Sequence, residues 1–398
     1  MTAELGNFVA PRYLISVEGT KLKGDVTRFI SGVRFREAED EASKITLTVI
    51  NDRFRFLDEK VFAEGNKIDL WLGYSGRPLS FMDRGTIVAP NPQFPRSGMP
   101  TLTVEAHGAA RILMDPDVKK HDRGRVFRQM RDSEIASKLF REEGILPFVF
   151  HTKALGTRVK KRGQTRWDFL KQLARLHGFV IWVRHDLERG APMGYFGPPD
   201  VEDQPVKRKF VYGGADATLF SFSPRFDFPS QATKVELAYT DPQTGKSFKV
   251  TTEVKKKTAE KTRFASVVGK EKLQKPIKNG PTVALTVFGQ REYVMVPRPF
   301  TSPAAAKQYA AAWFARHERE FAWGDGESLG TPDVRQGHVH ELAGIGARLS
   351  GDWQFSEVEH DVSRGYALHF KVRKVVLDSV VGSLVNLTGT HLEEAEGA

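Results

Sequence analysis

Apolar and polar residues alternate with a period of two along short stretches of the first hundred residues. Residues 44–50 place Ile45, Leu47 and Val49 on one face, residues 68–72 place Ile68, Leu70 and Leu72, and residues 101–106 place Leu102, Val104 and Ala106. Turn residues at Lys23-Gly24-Asp25, Glu64-Gly65-Asn66, Ser75-Gly76-Arg77-Pro78 and Ser97-Gly98 punctuate them. Short strands at this spacing, from Tyr13 to about Ala106, predict a small antiparallel barrel or sandwich.

After Gly108 the period changes. Asp132-Ser133 supplies a cap, and Ile135, Ala136, Leu139 and Phe140 form a helical face that stops at Gly144. Strands are expected at 148–150 and 157–161. The stretch 163–183 is the most legible in the chain. Thr165 is the N-cap, with Asp168 three residues on, so a helix begins at Arg166. Trp167, Leu170, Leu173, Ala174 and His177 follow at helical spacing, with Lys171, Gln172 and Arg175 largely off that face. Gly178 closes the helix in a left-handed conformation, and Phe179, Val180, Ile181, Trp182 and Val183 read as a buried strand. Trp167 and Trp182 are expected to lock helix onto strand rather than to form an aromatic binding platform. Residues 113–205 thus form a small α+β module.

Strands return from Lys209, at 220–228 and at 233–239. The lysine-rich, weakly periodic region 241–299 predicts long loops or a mobile insertion. A second helix follows, capped by Ser302 with Pro303 in its first position, and ends before Trp323 and the turn at Gly324. The last segment echoes the first. Residues 65–73 and 337–344 share a glycine, apolar, glycine order, and each precedes a glycine turn and another strand, at 84–88 and 350–355.

Composition narrows the class. The chain has 398 residues with 40% hydrophobic content and 28 Phe, enough for two or three packed domains and incompatible with general disorder. The absence of cysteine excludes disulfides, thiolate metal sites and cysteine nucleophiles. No secretion signal or membrane span is read from the pattern. A net charge of +11 favours acidic partners, but the basic clusters at 119–131, 158–166 and 255–263 are dispersed and carry few interleaved aromatics. They read as solvated faces or protein contacts.

Catalytic patterns fail one by one. A P-loop is absent. Residues 344–349 lack the third glycine of a dinucleotide loop, 73–77 lack the final glycine of a nucleophile elbow, and 317–321 lack the second histidine of a zincin helix. His338 and His340 share one face of a strand, with Glu341 or His360 as further candidate metal ligands. Nothing fixes a third ligand, so hydrogen-bonded structural histidines are the stronger reading. Glu142, Glu143 and Asp168 are candidates for a glycosidase-like pair of acids, but helical surface acids are the simpler reading. The expectation is a protein that is not an enzyme, with no catalytic residue, cofactor or metal.

The run DSEIASKLFREEG and the stretch 163–183 resemble the central signature of the phage late-control D family, the tail hub proteins of contractile injection systems, related to the hub part of VgrG. The closing strands are similar too, with Trp353, Val358 and His360 in the family's order. Thr165, Trp167, Asp168, Phe169, Leu170, Leu173, Gly178, Gly351, Trp353 and His360 carry the resemblance, which covers nearly the whole chain apart from 241–299.

The resemblance implies an α+β, mainly β fold: two tube-like antiparallel β-barrel domains, an intervening small α+β module and an inserted helical and loop segment. The expected division is 1–112 for the first barrel, 113–205 for the module, 206–240 with 322–385 for the second barrel, 241–321 for the insertion and 386–398 for a tail. It implies a baseplate hub in the virion tail, assembled in the host cytoplasm: a homotrimeric ring joining the hexameric tail tube, or tube-initiator proteins, to a trimeric tail spike, and leaving an axial channel. Since the chain stops soon after the closing strands, the spike is expected as a separate protein. Baseplate wedge proteins are further candidate partners, and the basic surplus would meet acidic tail proteins. Neither membrane anchoring nor sequence-specific nucleic-acid binding is expected. The rival readings are a tail-associated cell-wall hydrolase and an oligonucleotide-binding β-barrel.

Overall fold

A computed structural model describes residues 10–115, 124–153, 155–199, 204, 206–240, 245, 247–254, 280–295, 300, 303–375 and 393–394. The first segment contains β1 (Pro11–Val17), β2 (Thr20–Lys21), α1 (Gly24–Thr27), β3 (Ile30–Ala38), β4 (Lys44–Ile50), α2 (Arg55–Asp58), β5 (Lys67–Tyr74), β6 (Ser80–Gln93), β7 (Thr101–Gly108) and α3 (Arg111–Met114). The alternation read from sequence selects the buried face: Ile45, Leu47, Val49, Leu102, Val104 and Ala106 are all buried in one core with Ile68, Leu70 and Leu72.

The middle segment holds β8 (Arg125–Arg131), α4 (Asp132–Glu142), β9 (Leu146–Val149), β10 (Leu155–Lys160), α5 (Arg166–His177), β11 (Val180–Asp186) and β12 (Ala191–Gly197). The expected helix grammar holds at α5. Thr165 Oγ1 accepts the amide of Asp168 at 2.9 Å, and Gly178 closes the helix at φ 69°. Trp167, Phe169, Leu170 and Leu173 are buried against Phe127, Ile135, Leu139 and Phe140 from β8 and α4.

The last segment contains β13 (Lys209–Val211), β14 (Leu219–Phe226), β15 (Lys234–Thr240), β16 (Ser247–Glu253), α6 (Gly280–Phe288), β17 (Glu292–Met295), α7 (Pro303–Glu318), β18 (Ala322–Leu329), β19 (Val339–Ala343), β20 (Gly351–Asp361), β21 (Ala367–Lys374) and β22 (Glu393–Glu394). Among the described residues a 13-stranded sheet runs β14-β18-β21-β20-β3-β4-β7-β6-β5-β1-β2, with β19 and β13 beside β20. It joins both ends of the chain, although its two halves keep separate cores, one around Val33 and Leu47 and the other around Trp353 and Phe355.

Several expectations are corrected. Helix α4 begins at Asp132, and Glu134 reaches back to the Arg131 amide at 2.9 Å. Ser133 instead exchanges hydrogen bonds with Thr152, so its hydroxyl is not the cap. Trp182 lies on the face of β11 opposite Ile181 and Val183; it stacks on Tyr195 at 4.9 Å rather than locking α5. The described part of 241–299 contains β16, α6 and β17 rather than loops alone, and β15 pairs with β16 and β17 instead of with the second half of the large sheet. Val235, Leu237 and Tyr239 are buried there under Ala306, Ala310 and Phe314 of α7, an apolar match that a strand-by-strand reading does not contain. In the tail, β22 pairs with β16. The Ser302 cap lies outside the described residues.

Candidate functional site at the seam of a duplicated sheet

The two halves of the large sheet repeat one another. In the first the order is β3-β4-β7-β6-β5, and in the second β14-β18-β21-β20-β19. Registers repeat too. The β3–β4 ladder shifts between Ile30 and Gly32, and the β14–β18 ladder between Leu219 and Ser221. The β6–β7 ladder shifts between Ile87 and Ala89, and the β20–β21 ladder between Phe355 and Glu357.

The sequence echo falls on equivalent hairpins. Gly65 (φ 88°) donates its amide to Ile87 O at 2.9 Å, and Gly337 (φ 93°) donates to Phe355 O at 2.8 Å. Both glycines occupy left-handed backbone, where a Cβ is costly. Asn66 O and His338 O accept the return bonds from Ile87 and Phe355, each at 2.8 Å. The repeat ends at the outer strands: β1 runs antiparallel to β5, whereas β13 runs parallel to β19.

The halves meet along one seam, where residues 357–361 of β20 pair antiparallel with residues 38–34 of β3. Its open face is charged. Arg34 pairs with Asp361 at 2.8 Å and Arg36 with Glu357 at 3.0 Å, and Lys371 reaches Glu357 at 2.8 Å. The same face continues through Thr46, Thr48, Thr103 and Glu105, where Thr46 pairs with Arg34 and Glu105, and Thr48 with Gly32 and Thr103.

The inner face of the seam holds a buried charge cluster. Glu37, 5% exposed, occupies a position that the alternation of Val33 and Phe35 assigns to the core. Arg335 donates to both its oxygens at 2.6 and 2.7 Å, and Arg184 from β11 donates at 3.1 Å. Burial pushes the Glu37 carboxyl up, but Arg335 and Arg184 together outweigh it and hold the group well below the carboxylate range. Arg335 also donates to Met82 O at 2.8 Å, and Arg184 to Gln336 O at 2.6 Å. The cluster therefore ties β3, β6, the middle segment and the loop before β19 together. Nearby, burial raises the carboxyl of Asp83, which accepts from the Ser43 hydroxyl and from the amides of Arg84 (2.8 Å) and His185 (3.1 Å).

The three candidate metal-ligand histidines are each buried and hydrogen-bonded. Burial, then the charges of Arg184 and Arg335, push His338 down to about 4. Burial, then His338, push His340 down to about 3, and its Nδ1 accepts the Arg208 amide at 3.0 Å. Burial, then Arg335, push His360 down to about 3; this ring lies between the Tyr366 hydroxyl at 2.9 Å and Val334 O at 3.0 Å. Among the described residues no group of three His, Asp or Glu side chains is arranged to hold a metal ion.

The acids considered for hydrolysis are each engaged. Glu142 takes a bidentate pair from Arg125 at 2.8 and 2.9 Å, Glu143 pairs with Arg166, and Asp168 accepts from Thr165 at 2.8 Å. The ten signature residues do not form one site. Thr165, Trp167, Asp168, Phe169, Leu170, Leu173 and Gly178 build α5, whose Trp167 indole donates to Asp40 O at 2.9 Å, beside β3. Gly351, Trp353 and His360 lie along β20. Trp353 is fully buried, donates to Leu349 O at 3.1 Å and carries the Lys374 ammonium 4.8 Å from its ring. Sequence reading missed Glu37, Asp83, Arg184 and Arg335. Only Glu37 left a signal, an acid in a core register position.

Against known proteins, the family described as the Alg8 N-terminal domain matches residues 12–364. No curated protein matches the sequence. Among solved structures, a tail protein from Neisseria meningitidis MC58 is similar with a TM-score of 0.63 at 13% identity, over 91% of this chain and 96% of that one. A 43 kDa tail protein of prophage MuSo2 from Shewanella oneidensis is similar with a TM-score of 0.60 at 13% identity, over 91% and 98%. A component of the Escherichia coli type VI secretion system, described as similar to the bacteriophage T4 tail proteins gp27 and gp5, gives 0.50 at 11% identity, over 92% and 80%. The chain shares its fold with these tail and secretion-system proteins.

Proposed function

This chain belongs to the Alg8 N-terminal domain family, and from the fold it shares with phage tail proteins we propose that it is the structural hub of a contractile phage tail or related injection system. Three chains form a ring. Each contributes two tube-like units, so six units face a hexameric tail tube while the threefold axis meets a trimeric spike, and an axial channel runs through. The protein acts in the tail baseplate of the virion and performs no catalysis.

The observation that carries this reading is the register-for-register repeat of the sheet. A single sheet has no need of two matched halves, whereas a threefold ring that abuts a sixfold tube needs each chain to present the same surface twice. The open face supports the channel, because cross-strand pairs such as Arg34–Asp361 and Arg36–Glu357 keep the seam charged and wetted. No helix among the described residues is long and apolar enough to cross a membrane.

The test is the mass in solution by light scattering across a wide concentration series. A mass that climbs towards three times 44.7 kDa and stops there supports the hub. A mass of one chain at every concentration, or one that grows past three, counts against it.

A further inference from the structure

The repeat leaves two strand edges open, and the internal seam shows how such edges meet. Residues 357–361 of β20 pair with β3, and the matched ladder shifts make 89–93 of β6 their equivalents. Beyond the bonds of Ile87, this part of β6 has no outer neighbour among the described residues. The equivalent of β3 is β14; Leu219 at its start bridges Tyr212, but residues 223–226, which match the seam positions of β3, have β18 on one side only. The β6 edge is equivalent to the β20 side of the internal seam and the β14 edge to its β3 side, so the two are complementary and fit a second copy.

Resting on the hub reading, we infer that the outer edge of β6 docks against the outer edge of β14 in a neighbouring copy, in the internal register, as a seam weakened by proline. That register sets Asn91 opposite Arg225 and Pro92 opposite Pro224 of the next chain. In the internal seam the Glu39 amide bonds Ser356 O and the Val362 amide bonds Val33 O, so even positions of β20 and odd positions of β3 point their amides across it. Their equivalents include Pro90, Pro92 and Pro224. All three lack the amide that would cross, and each sits on an edge where proline is tolerated because no neighbour within the chain needs a donor.

The charges weaken in the same way. Asp361, Glu359 and Glu357 of the internal seam become Gln93, Asn91 and Ala89 in β6, while Arg34 and Arg36 become Ser223 and Arg225 in β14. The ion pairs Arg34–Asp361 and Arg36–Glu357 therefore have no counterpart between copies. Each chain is held rigidly across its own seam and loosely across the next, so the ring closes by mass action or on a partner surface. The prolines also stop these edges from pairing indiscriminately.

The chain has no cysteine, which makes cross-linking clean. Asn91 and Arg225 would face each other as a non-hydrogen-bonded pair, whose Cα separation of about 4.5 Å suits a disulfide. The variant N91C/R225C of the full chain is oxidised at high concentration and resolved under denaturing conditions. Covalent species that stop at three chains are expected. Species running past three would keep the seam but overturn the closed trimer. Absence of cross-links in a sample whose light-scattering mass reaches three chains would overturn the seam and leave the hub reading standing; absence of both would overturn both.

Strength is read separately. P92T/P224T restores a reciprocal pair of backbone bonds, and the dissociation constant for assembly should fall about tenfold. No change, or weaker assembly with unchanged circular dichroism, would overturn the role of the prolines.

Discussion

Replacing Glu37 by glutamine keeps the volume of a buried side chain and removes its charge beneath the internal seam. The bonds at stake are two from Arg335, at 2.6 and 2.7 Å, and one from Arg184 at 3.1 Å. Both guanidiniums would keep their carbonyl contacts, to Met82 O and Gln336 O, but each would lose its ion pair with Glu37. Removing one partner of a buried ion pair costs about 3–5 kcal/mol. Glutamine retains one acceptor oxygen, so Glu37→Gln should sit near the lower end, at about 3 kcal/mol. The assay is urea unfolding followed by tryptophan fluorescence, with hydrogen exchange across β3 and β20 to locate the loss. Glu357→Gln is the control, because its pair with Arg36 is solvated and should cost less than about 1 kcal/mol. In a double-mutant cycle Glu37→Gln and Arg335→Met should be strongly non-additive. A Glu37→Gln cost at or below that of Glu357→Gln would refute the claim that the buried cluster holds the halves together.

Four further outcomes follow from individual side chains. Burial puts His338, His340 and His360 below their unfolded value of 6.5, so the unfolded chain binds more protons between about 6.5 and 4. Stability should therefore fall as pH drops through that window, with the depressed Glu37 carboxyl adding to the loss below its unfolded value of 4.5 and the raised Asp83 carboxyl opposing it; His340→Leu should flatten the slope of unfolding free energy against pH. Thr165→Ala removes the acceptor of the Asp168 amide and should cost about 1 kcal/mol in thermal or urea unfolding. Gly178→Ala should cost about 1–2 kcal/mol from its left-handed backbone alone, since the added Cβ would stand 3.5 Å from Ala312 Cβ, an ordinary contact. Gly330→Ala has no such room: its Cβ would fall 2.0 Å from Tyr366 Cδ2, and a loss of about 1–3 kcal/mol is expected, with increased hydrogen exchange around the Tyr74 bond to Gly330 O.

Legibility followed the range of the interactions. Helix α5 was readable to the residue because its signals are local: a threonine oxygen three residues from an amide, an apolar stripe at helical spacing and a glycine where the backbone turns left-handed. The faces of β4, β5 and β7 were readable because side chains alternate. Trp182 was misread because five consecutive apolar residues hide which face is buried, and only the packing of Ile181 and Val183 on α5 settles it. Strand β15 was misassigned because its apolar face is matched by α7, some seventy residues later in the chain.

The candidate site was barely legible. Arg184, Arg335 and Glu37 come from three distant stretches, and nothing near either arginine announces a buried partner.

By itself, then, the sequence determined the local elements, the mainly β class and the faint echo between 65–88 and 337–355, since period, capping and turn chemistry act over a few residues. Tertiary structure alone decided that the echo is a register-for-register duplication, that β20 and β3 join the halves, and that Pro90, Pro92 and Pro224 all turn their missing amides outward. Those facts depend on which strand edges face one another, and a strand carries no local mark of its neighbour.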